Sequence, residues 1–250
     1  GADQRERLRQ FAKVLQKGQK ERGIREHRAA VEDQKVVVDQ NSVFKIPDSV
    51  GFEDASALLL TYGTSIHALL DRGHLKQGET LLVLGASGGV GIAAVELGKA
   101  FGARVVAAVS SEEKAAFAKQ AGADETVVYE RAPFDKDQSK ALAAQFKAAV
   151  GPNGADVIYD AVGGDYSEPA VRSIAWEGRF LVVGFPAGIA KLPLNLTLLK
   201  SCDVCGVFWG AYAMRDPKGN RAHIDRLFKL WDQKLADRGA IGKLVVKVAD

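Results

Sequence analysis

The chain has 250 residues, of which 47% are hydrophobic and 26% are charged, and its formal net charge is +3. This composition is typical of a globular protein with a full hydrophobic core, and it excludes a disordered chain. No apolar run reaches membrane-spanning length, the first residues do not resemble a secretory signal, and only two cysteines occur. These features predict a cytoplasmic protein that does not associate with a membrane.

The positive charge is concentrated in the first 28 residues, which hold nine Lys or Arg against four Asp or Glu. Apolar residues at helical spacing predict an amphipathic helix over residues 4–17, so we expect residues 1–34 to form a basic helical arm. Two interpretations of the arm stay open, a solvated helix and a segment that binds nucleic acid. The scarcity of aromatic residues among the charges favours the solvated helix.

The rest of the chain is predicted to alternate between strands and helices. Residues 35–52 are expected to be extended, with an apolar helix over 53–70 and a short segment at 194–200. The predicted strands cover 80–85, 104–109, 126–128, 156–160, 179–184 and 203–208, and the predicted helices cover 89–101, 111–121, 137–149, 166–175 and 221–235. Alternation of this kind implies right-handed crossovers and a parallel sheet. We therefore predict an α/β fold over residues 53–250, a doubly wound six-stranded Rossmann sheet ending in a C-terminal strand.

The most informative motif is the run from Leu81 to Gly91, where an apolar strand breaks into a glycine-dense turn and a helical pattern follows. Glycines let the main chain approach phosphate oxygens, and the start of a helix offers free N–H groups and a positive dipole end. Because the turn lies between a predicted strand and a predicted helix, it predicts a site for the pyrophosphate of a dinucleotide.

The end of the second predicted strand indicates which dinucleotide binds. In this fold an acidic residue at that position would bond the ribose hydroxyls of NAD and repel a 2′-phosphate. Here the strand is followed by Ser110 and Ser111, with Lys114 one helical turn later, and two hydroxyls and an ammonium suit a 2′-phosphate. Tyr129, at the end of the third strand, is predicted to line the same pocket. These residues favour NADPH.

A structural interpretation of the same residues stays open. Ser110 is expected to be the N-cap of the next helix, with Glu113 closing a capping box, and a capping hydroxyl can still contact a ligand. The carboxylates of Glu112 and Glu113 and the lack of arginine in this turn count against a phosphate. NAD therefore stays the alternative cofactor.

From about Val36 onward, the chain resembles the zinc-independent quinone oxidoreductase branch of the medium-chain dehydrogenase/reductase superfamily. The runs that carry the resemblance are 61–64, 85–91, 159–164, 178–185 and 207–210. The resemblance implies hydride transfer from NADPH to a small quinone or α,β-unsaturated carbonyl acceptor, without a metal, and it is compatible with a homodimer.

The resemblance also implies contacts to three parts of the cofactor. The predicted cofactor-binding residues are Thr64 beside the nicotinamide, Ser87, Gly88, Gly89, Val90 and Gly91 at the pyrophosphate, Ser110, Ser111, Lys114 and Tyr129 at the 2′-phosphate, and Val162, Gly163, Gly184, Phe185, Phe208 and Trp209 bordering the ribose and nicotinamide. The three aromatic residues of the last group have an alternative interpretation as core residues.

Two departures from the family pattern bear on catalysis. Family members begin with a chaperonin-10-like barrel that forms the other wall of the cleft, whereas here the similarity starts near its closing strand, so residues 35–52 are expected to be a remnant of that second domain. A further gap is expected after Gln233. A cofactor-binding module without catalytic activity therefore stays open as the alternative function, and no catalytic residue is assigned.

The histidines and cysteines are predicted to carry no chemistry. No nucleophile or carboxylate pattern is recognised around His27, His67, His74 and His223. Cys202 and Cys205 would face opposite sides of a strand, and two cysteines fall short of a structural zinc site. We therefore predict structural cysteines and no metal.

Overall fold

The computed structural model describes residues 43–232, and within that range six parallel strands form one sheet. The strands are β1 (Thr80–Leu84), β2 (Arg104–Val109), β3 (Glu125–Val128), β4 (Ala155–Asp160), β5 (Ile174–Val182) and β6 (Asp203–Gly206), in the spatial order β3-β2-β1-β4-β5-β6. The order reverses direction between β1 and β4, which opens a crevice at their carboxyl ends. The predicted Rossmann fold is confirmed.

Helices connect the strands. They are α1 (Phe52–Ile66), which continues into a π-helical turn (His67–Arg72), then α2 (Gly89–Ala100), α3 (Glu112–Gln120), α4 (Lys136–Val150), a 3₁₀ turn (Gly164–Tyr166), α5 (Ser167–Val171), α6 (Asn195–Lys200), α7 (Trp209–Arg215) and α8 (Pro217–Leu230). None of these helices is long and apolar enough to cross a membrane. The predicted arm helix, residues 35–42 of the predicted extended segment and the predicted C-terminal strand lie outside the described residues, so the proposed domain boundaries stay predictions.

The core lies on both faces of the sheet. The four residues from Leu81 to Leu84 in β1 are fully buried, as expected for a central parallel strand covered on both sides. Leu81 approaches Gly98 of α2, whereas Leu82 belongs to the cluster that contains Phe146 of α4. Burial of each such side chain contributes about 1.5–3 kcal/mol, so β1 is held firmly where it enters the glycine turn.

The predicted helix over 166–175 is wrong in its second half. Helix α5 ends at Val171, and the main-chain N–H and the hydroxyl of Ser173 both donate to the carbonyl of Ala170. β5 then begins at Ile174, five residues earlier than predicted, and pairs with β4 through a register shift. Glu177 lies in this irregular stretch with φ +55°, which breaks the strand pattern that sequence analysis relies on.

Two further boundaries differ from the prediction. β6 ends at Gly206 rather than at residue 208, because the chain turns away after Val207 to begin α7 at Trp209. Helix α8 begins at Pro217 rather than at 221, since the Asp216 side chain caps it by accepting from the N–H of Gly219. Proline just after an aspartate is a recognised helix-start signal that the prediction overlooked.

Two histidines share a carboxylate that sequence analysis missed. His67 Nδ1 lies 2.7 Å from Asp71 Oδ2, and His223 Nε2 lies 3.3 Å from Asp71 Oδ1. The His67 ring also stacks on Tyr212, with ring centroids 4.1 Å apart. The expectation that no carboxylate accompanies these histidines is therefore wrong. The cluster joins the π-helical turn to α7 and α8, so its role is to hold these helices together.

Acid is expected to destabilise the protein through His223. Burial lowers the pKa of His223, against the attraction of Asp71, and its Nδ1 atom is buried without a hydrogen-bond partner in the described part of the chain. The unfolded chain therefore binds a proton more readily, and stability is lost as the pH falls below about 6.5, the unfolded value. Thermal unfolding at pH 7.5 and 5.5 should show a smaller loss for His223→Gln than for the wild type.

His74→Asn is the matched control for this prediction. His74 is exposed and has φ +44°, a conformation that asparagine tolerates. The control should keep the wild-type dependence on pH. An equal loss of stability on acidification in wild type and His223→Gln would contradict the assignment.

Candidate cofactor site

The predicted cofactor-binding residues gather at one edge of the sheet. All but one follow the carboxyl end of a strand, and the six carboxyl ends share an edge because the strands are parallel. The exception, Thr64, lies in α1, and its hydroxyl donates to the carbonyl of Leu60 at 2.7 Å. Close contacts join the segments at this edge: a Cβ atom on Gly85 would lie 2.8 Å from Val162, and one on Gly163 would lie 2.9 Å from Phe185.

The turn between β1 and α2 is built from close main-chain contacts. Gly85 has φ +68°, and its carbonyl accepts from the N–H of Gly88 at 2.9 Å. A Cβ atom on Gly91 would lie 2.1 Å from the Gly85 carbonyl oxygen, so only glycine lets α2 pack this closely on the turn. The helix bonds begin at Ile92, whose N–H donates to Gly88.

The first turn of α2 leaves main-chain donors free of helix bonds. Gly89, Val90 and Gly91 are the first three residues of the helix, so no carbonyl of the helix is placed to accept a hydrogen bond from their N–H groups. Side chains cap α3, α4 and α8, but no side chain among residues 43–232 caps α2. The start of α2 therefore offers unpaired N–H groups and a positive dipole end beside the half-buried Ser87.

At the end of β2, the N-cap of α3 is Ser111 and not Ser110. The hydroxyl of Ser111 accepts from the main-chain N–H of Lys114 at 3.3 Å, which makes Lys114 the third helical residue and removes Glu113 from the capping-box position. The Ser110 hydroxyl is left for another partner and accepts from Lys114 Nζ at 2.9 Å. An ammonium and a hydroxyl therefore lie side by side at this strand end.

Tyr129 lies deeper than its predicted role suggests. Its ring is buried and packs against Tyr166, with ring centroids 4.8 Å apart, and burial raises the pKa of its phenol to about 12. The phenol is therefore neutral at physiological pH. The Tyr129 side chain lies beneath the turn at Gly85 and is not exposed at the edge of the pocket.

Asp160 organises the loop after β4. Its Oδ1 atom accepts from the N–H groups of Val162 and Gly163 at 2.9 and 2.8 Å, and its Oδ2 atom accepts from the hydroxyl of Ser167 at 2.5 Å. Burial raises the pKa of Asp160, while the hydroxyl and the two N–H groups act in the opposite direction. The main-chain oxygen of Asp160 also accepts from Gly184, so one residue fixes two of the loops at the crevice.

Two of the three aromatic residues at the crevice are not core residues. Phe185 is 63% exposed and Phe208 is 74% exposed, which contradicts the core interpretation for both. Trp209 is half-buried: its ring lies against Gly63 of α1, where a Cβ atom would approach it to 2.8 Å, and its Nε1 donates to Asn220 at 2.9 Å. The exposed rings of Phe185 and Phe208 therefore provide apolar surface at the carboxyl ends of β5 and β6, where the contacts of Trp209 hold its indole in place.

Sequence analysis missed a buried polar network beneath the site. The hydroxyl of Ser65 connects Tyr159 of β4 to the carbonyl of Val90 in α2, and the Tyr62 hydroxyl donates to the Glu96 carboxylate. Tyr62, Val90 and Tyr159 lie in runs that carry the family resemblance, but nothing in the sequence indicates how these residues pair, because their partners are 25 to 94 positions away.

The two cysteines are unpaired, and the described residues contain no candidate metal site. Cys202 is buried and Cys205 is half-buried, and both are free thiols. Among residues 43–232, no group of three or more His, Cys, Asp or Glu side chains could hold a metal ion.

The fold and this edge together define a Rossmann domain, whose glycine turn and uncapped helix fit a dinucleotide pyrophosphate. A family model described as zinc-binding dehydrogenase matches residues 89–222. The chain therefore belongs to this family, and within the medium-chain dehydrogenase/reductase superfamily to the quinone oxidoreductases. The resemblance to the quinone oxidoreductases that the sequence motifs predict is therefore confirmed.

Individual relatives agree with this assignment. The chain is 38% identical over 205 residues to quinone oxidoreductase-like protein 2 of Rattus norvegicus, covering 81% of this chain and 56% of the relative. The quinone oxidoreductase of Pseudomonas syringae is 32% identical with TM-score 0.66, covering 77% of this chain and 57% of that one. The quinone oxidoreductase of Thermus thermophilus, solved also with NADPH, is 25% identical with TM-score 0.64, covering 83% and 62%. The chain thus spans about half the length of the curated relatives it matches.

Proposed function

We propose that the chain binds NADPH and serves as the cofactor domain of an oxidoreductase that transfers hydride to a quinone or an α,β-unsaturated carbonyl. The observation that carries the proposal is the uncapped start of α2 after β1, together with the paired Ser110 hydroxyl and Lys114 ammonium at the end of the neighbouring strand β2. The first feature suits a pyrophosphate, and the second suits the 2′-phosphate that distinguishes NADPH from NADH. The NADPH complex of the Thermus thermophilus relative supports the choice of cofactor.

The residues of this chain would bind NADPH, orient it and shield its nicotinamide end from water. The main-chain N–H groups at the start of α2 would hold the pyrophosphate, and the loops fixed by Asp160 would border the ribose. The exposed rings of Phe185 and Phe208 would exclude water from the nicotinamide end. When bound, NADPH supplies the hydride, and no metal is part of the proposed chemistry.

An assay of the purified chain with NADPH and 1,4-benzoquinone tests the proposal. Depletion of the nicotinamide absorbance band at a rate that depends on both protein and quinone is the expected result. Saturable NADPH binding without turnover would restrict the chain to the alternative function, a cofactor-binding module. Absence of binding would contradict both. A homodimer, a cytoplasmic location and the absence of nucleic-acid binding by the arm stay predictions.

A further inference from the structure

Ser65 lies fully buried in α1 and directs its hydroxyl away from its own helix. The neighbouring hydroxyls of Thr61 and Thr64 bond back to carbonyls one turn earlier in α1, as Thr side chains in helices commonly do. Ser65 instead donates to the carbonyl of Val90 in α2 at 2.9 Å, and its Oγ atom lies 2.9 Å from the hydroxyl of Tyr159. Its side chain thus bridges a helix and a strand.

The bridge has one direction of hydrogen bonding. A serine hydroxyl has a single hydrogen, and the Val90 carbonyl can only accept, so Ser65 must donate to Val90. Tyr159 must then donate to Ser65. Tyr159 is fully buried, and burial raises its pKa far above the physiological range, so its phenol keeps the proton that this bond requires.

The Val90 carbonyl shares its peptide group with the N–H of Gly91. A hydrogen bond accepted by a carbonyl polarises the peptide and strengthens the N–H on its other side as a donor, because chains of hydrogen bonds reinforce one another. That N–H is one of the three at the start of α2 without an intrahelical acceptor. The buried series of hydrogen bonds that starts at Tyr159 therefore ends at the Gly91 N–H, one of the groups proposed to bind the pyrophosphate.

We propose that Ser65 and Tyr159 are positioning residues for the cofactor pyrophosphate, which fix the first turn of α2 and strengthen the Gly91 N–H as a donor. The proposal rests on the proposed function. The bridge also links three segments at this edge of the sheet: Ser65 follows Thr64 in α1, Val90 lies in the first turn of α2, and Tyr159 precedes Asp160, which holds the loop after β4.

Ser65→Ala tests the proposal with two probes, NADPH and adenosine 2′-monophosphate, which carries the 2′-phosphate but no pyrophosphate. We expect NADPH to bind about three- to tenfold more weakly, the effect of one hydrogen bond, and adenosine 2′-monophosphate to bind as in wild type. Tyr159→Phe should weaken NADPH binding less, and should add nothing on the Ser65→Ala background, because it acts only through Ser65.

Ser173→Ala is the matched control. Ser173 is also buried, and its hydroxyl donates to a main-chain carbonyl at 2.7 Å, but it lies beside the amino end of β5, at the opposite edge of the sheet. This variant should lose thermal stability as Ser65→Ala does and keep wild-type NADPH affinity. Unchanged NADPH binding by Ser65→Ala, equal weakening of both probes, or an additive effect of Tyr159→Phe would overturn the proposal. Failure of the wild type to bind NADPH would overturn the proposed function itself.

Discussion

Gly91→Ala is expected to weaken NADPH binding by roughly 100-fold or more and to destabilise the fold. The new Cβ atom would lie 2.1 Å from the Gly85 carbonyl oxygen and under 3 Å from two further main-chain atoms, which cannot give way as a flexible side chain would. Overpacking of this kind costs about 1–3 kcal/mol or more. Displacing α2 would also remove two or more main-chain bonds to the pyrophosphate, each worth about 1.5–3 kcal/mol with a charged partner.

Gly51→Ala provides the control for this variant. Gly51 precedes α1 with φ −63°, and a Cβ atom there would meet only the Asp54 carboxylate, at 3.8 Å. We expect a change in unfolding free energy of less than about 1 kcal/mol and no change in NADPH affinity, measured by thermal unfolding and by titration. NADPH binding by Gly91→Ala at wild-type strength would show that the pyrophosphate does not bind at this turn.

Lys114→Ala is expected to weaken NADPH binding by about 10- to 100-fold while sparing NADH. Removal of the ammonium takes away a charged partner for the 2′-phosphate and frees the Ser110 hydroxyl from its bond. Hydrogen bonds to charged groups contribute about 1.5–3 kcal/mol, which corresponds to that range of affinities. Parallel titrations with the two nucleotides measure the ratio directly.

Lys119→Ala controls for the loss of a positive charge on α3. Lys119 is exposed near the end of the same helix and follows Lys114 by five residues. Its removal should leave the affinities for both nucleotides unchanged. If Lys114→Ala weakens NADPH and NADH equally, the assignment of the 2′-phosphate to Ser110 and Lys114 is wrong.

The sheet could be predicted from sequence because its signals are local. The apolar run of β1, the glycines after it and the periodicity of α2 are contiguous, and the predicted boundaries differ from the observed ones by one residue. The segment around α5 failed because its end depends on the Ser173 hydroxyl and on a register shift against β4. Neither feature has a periodic signature.

The site could be predicted in outline but not in its supporting contacts. Motifs located the glycine turn and the residues after β2, yet they assigned the N-cap to Ser110 when it is Ser111. A shift of one residue decides which hydroxyl is free for a ligand, and helix termini are rarely resolved that finely from sequence. The bridge from Tyr159 through Ser65 to Val90 joins residues that only the folded chain brings together.

The histidine cluster was missed for a different reason. His67 and Asp71 are four residues apart in a helical segment, which is a spacing that brings side chains together. This pair matches no catalytic pattern, so the spacing alone did not single it out, and only the fold brings His223 of α8 to the same carboxylate.

A structure of the wild-type chain with NADPH would test the central claim most directly. We predict pyrophosphate oxygens within hydrogen-bond distance of the main-chain N–H groups of Gly89, Val90 or Gly91, and the 2′-phosphate beside Lys114 Nζ. A cofactor bound elsewhere, or a pyrophosphate turned away from the start of α2, would contradict the account.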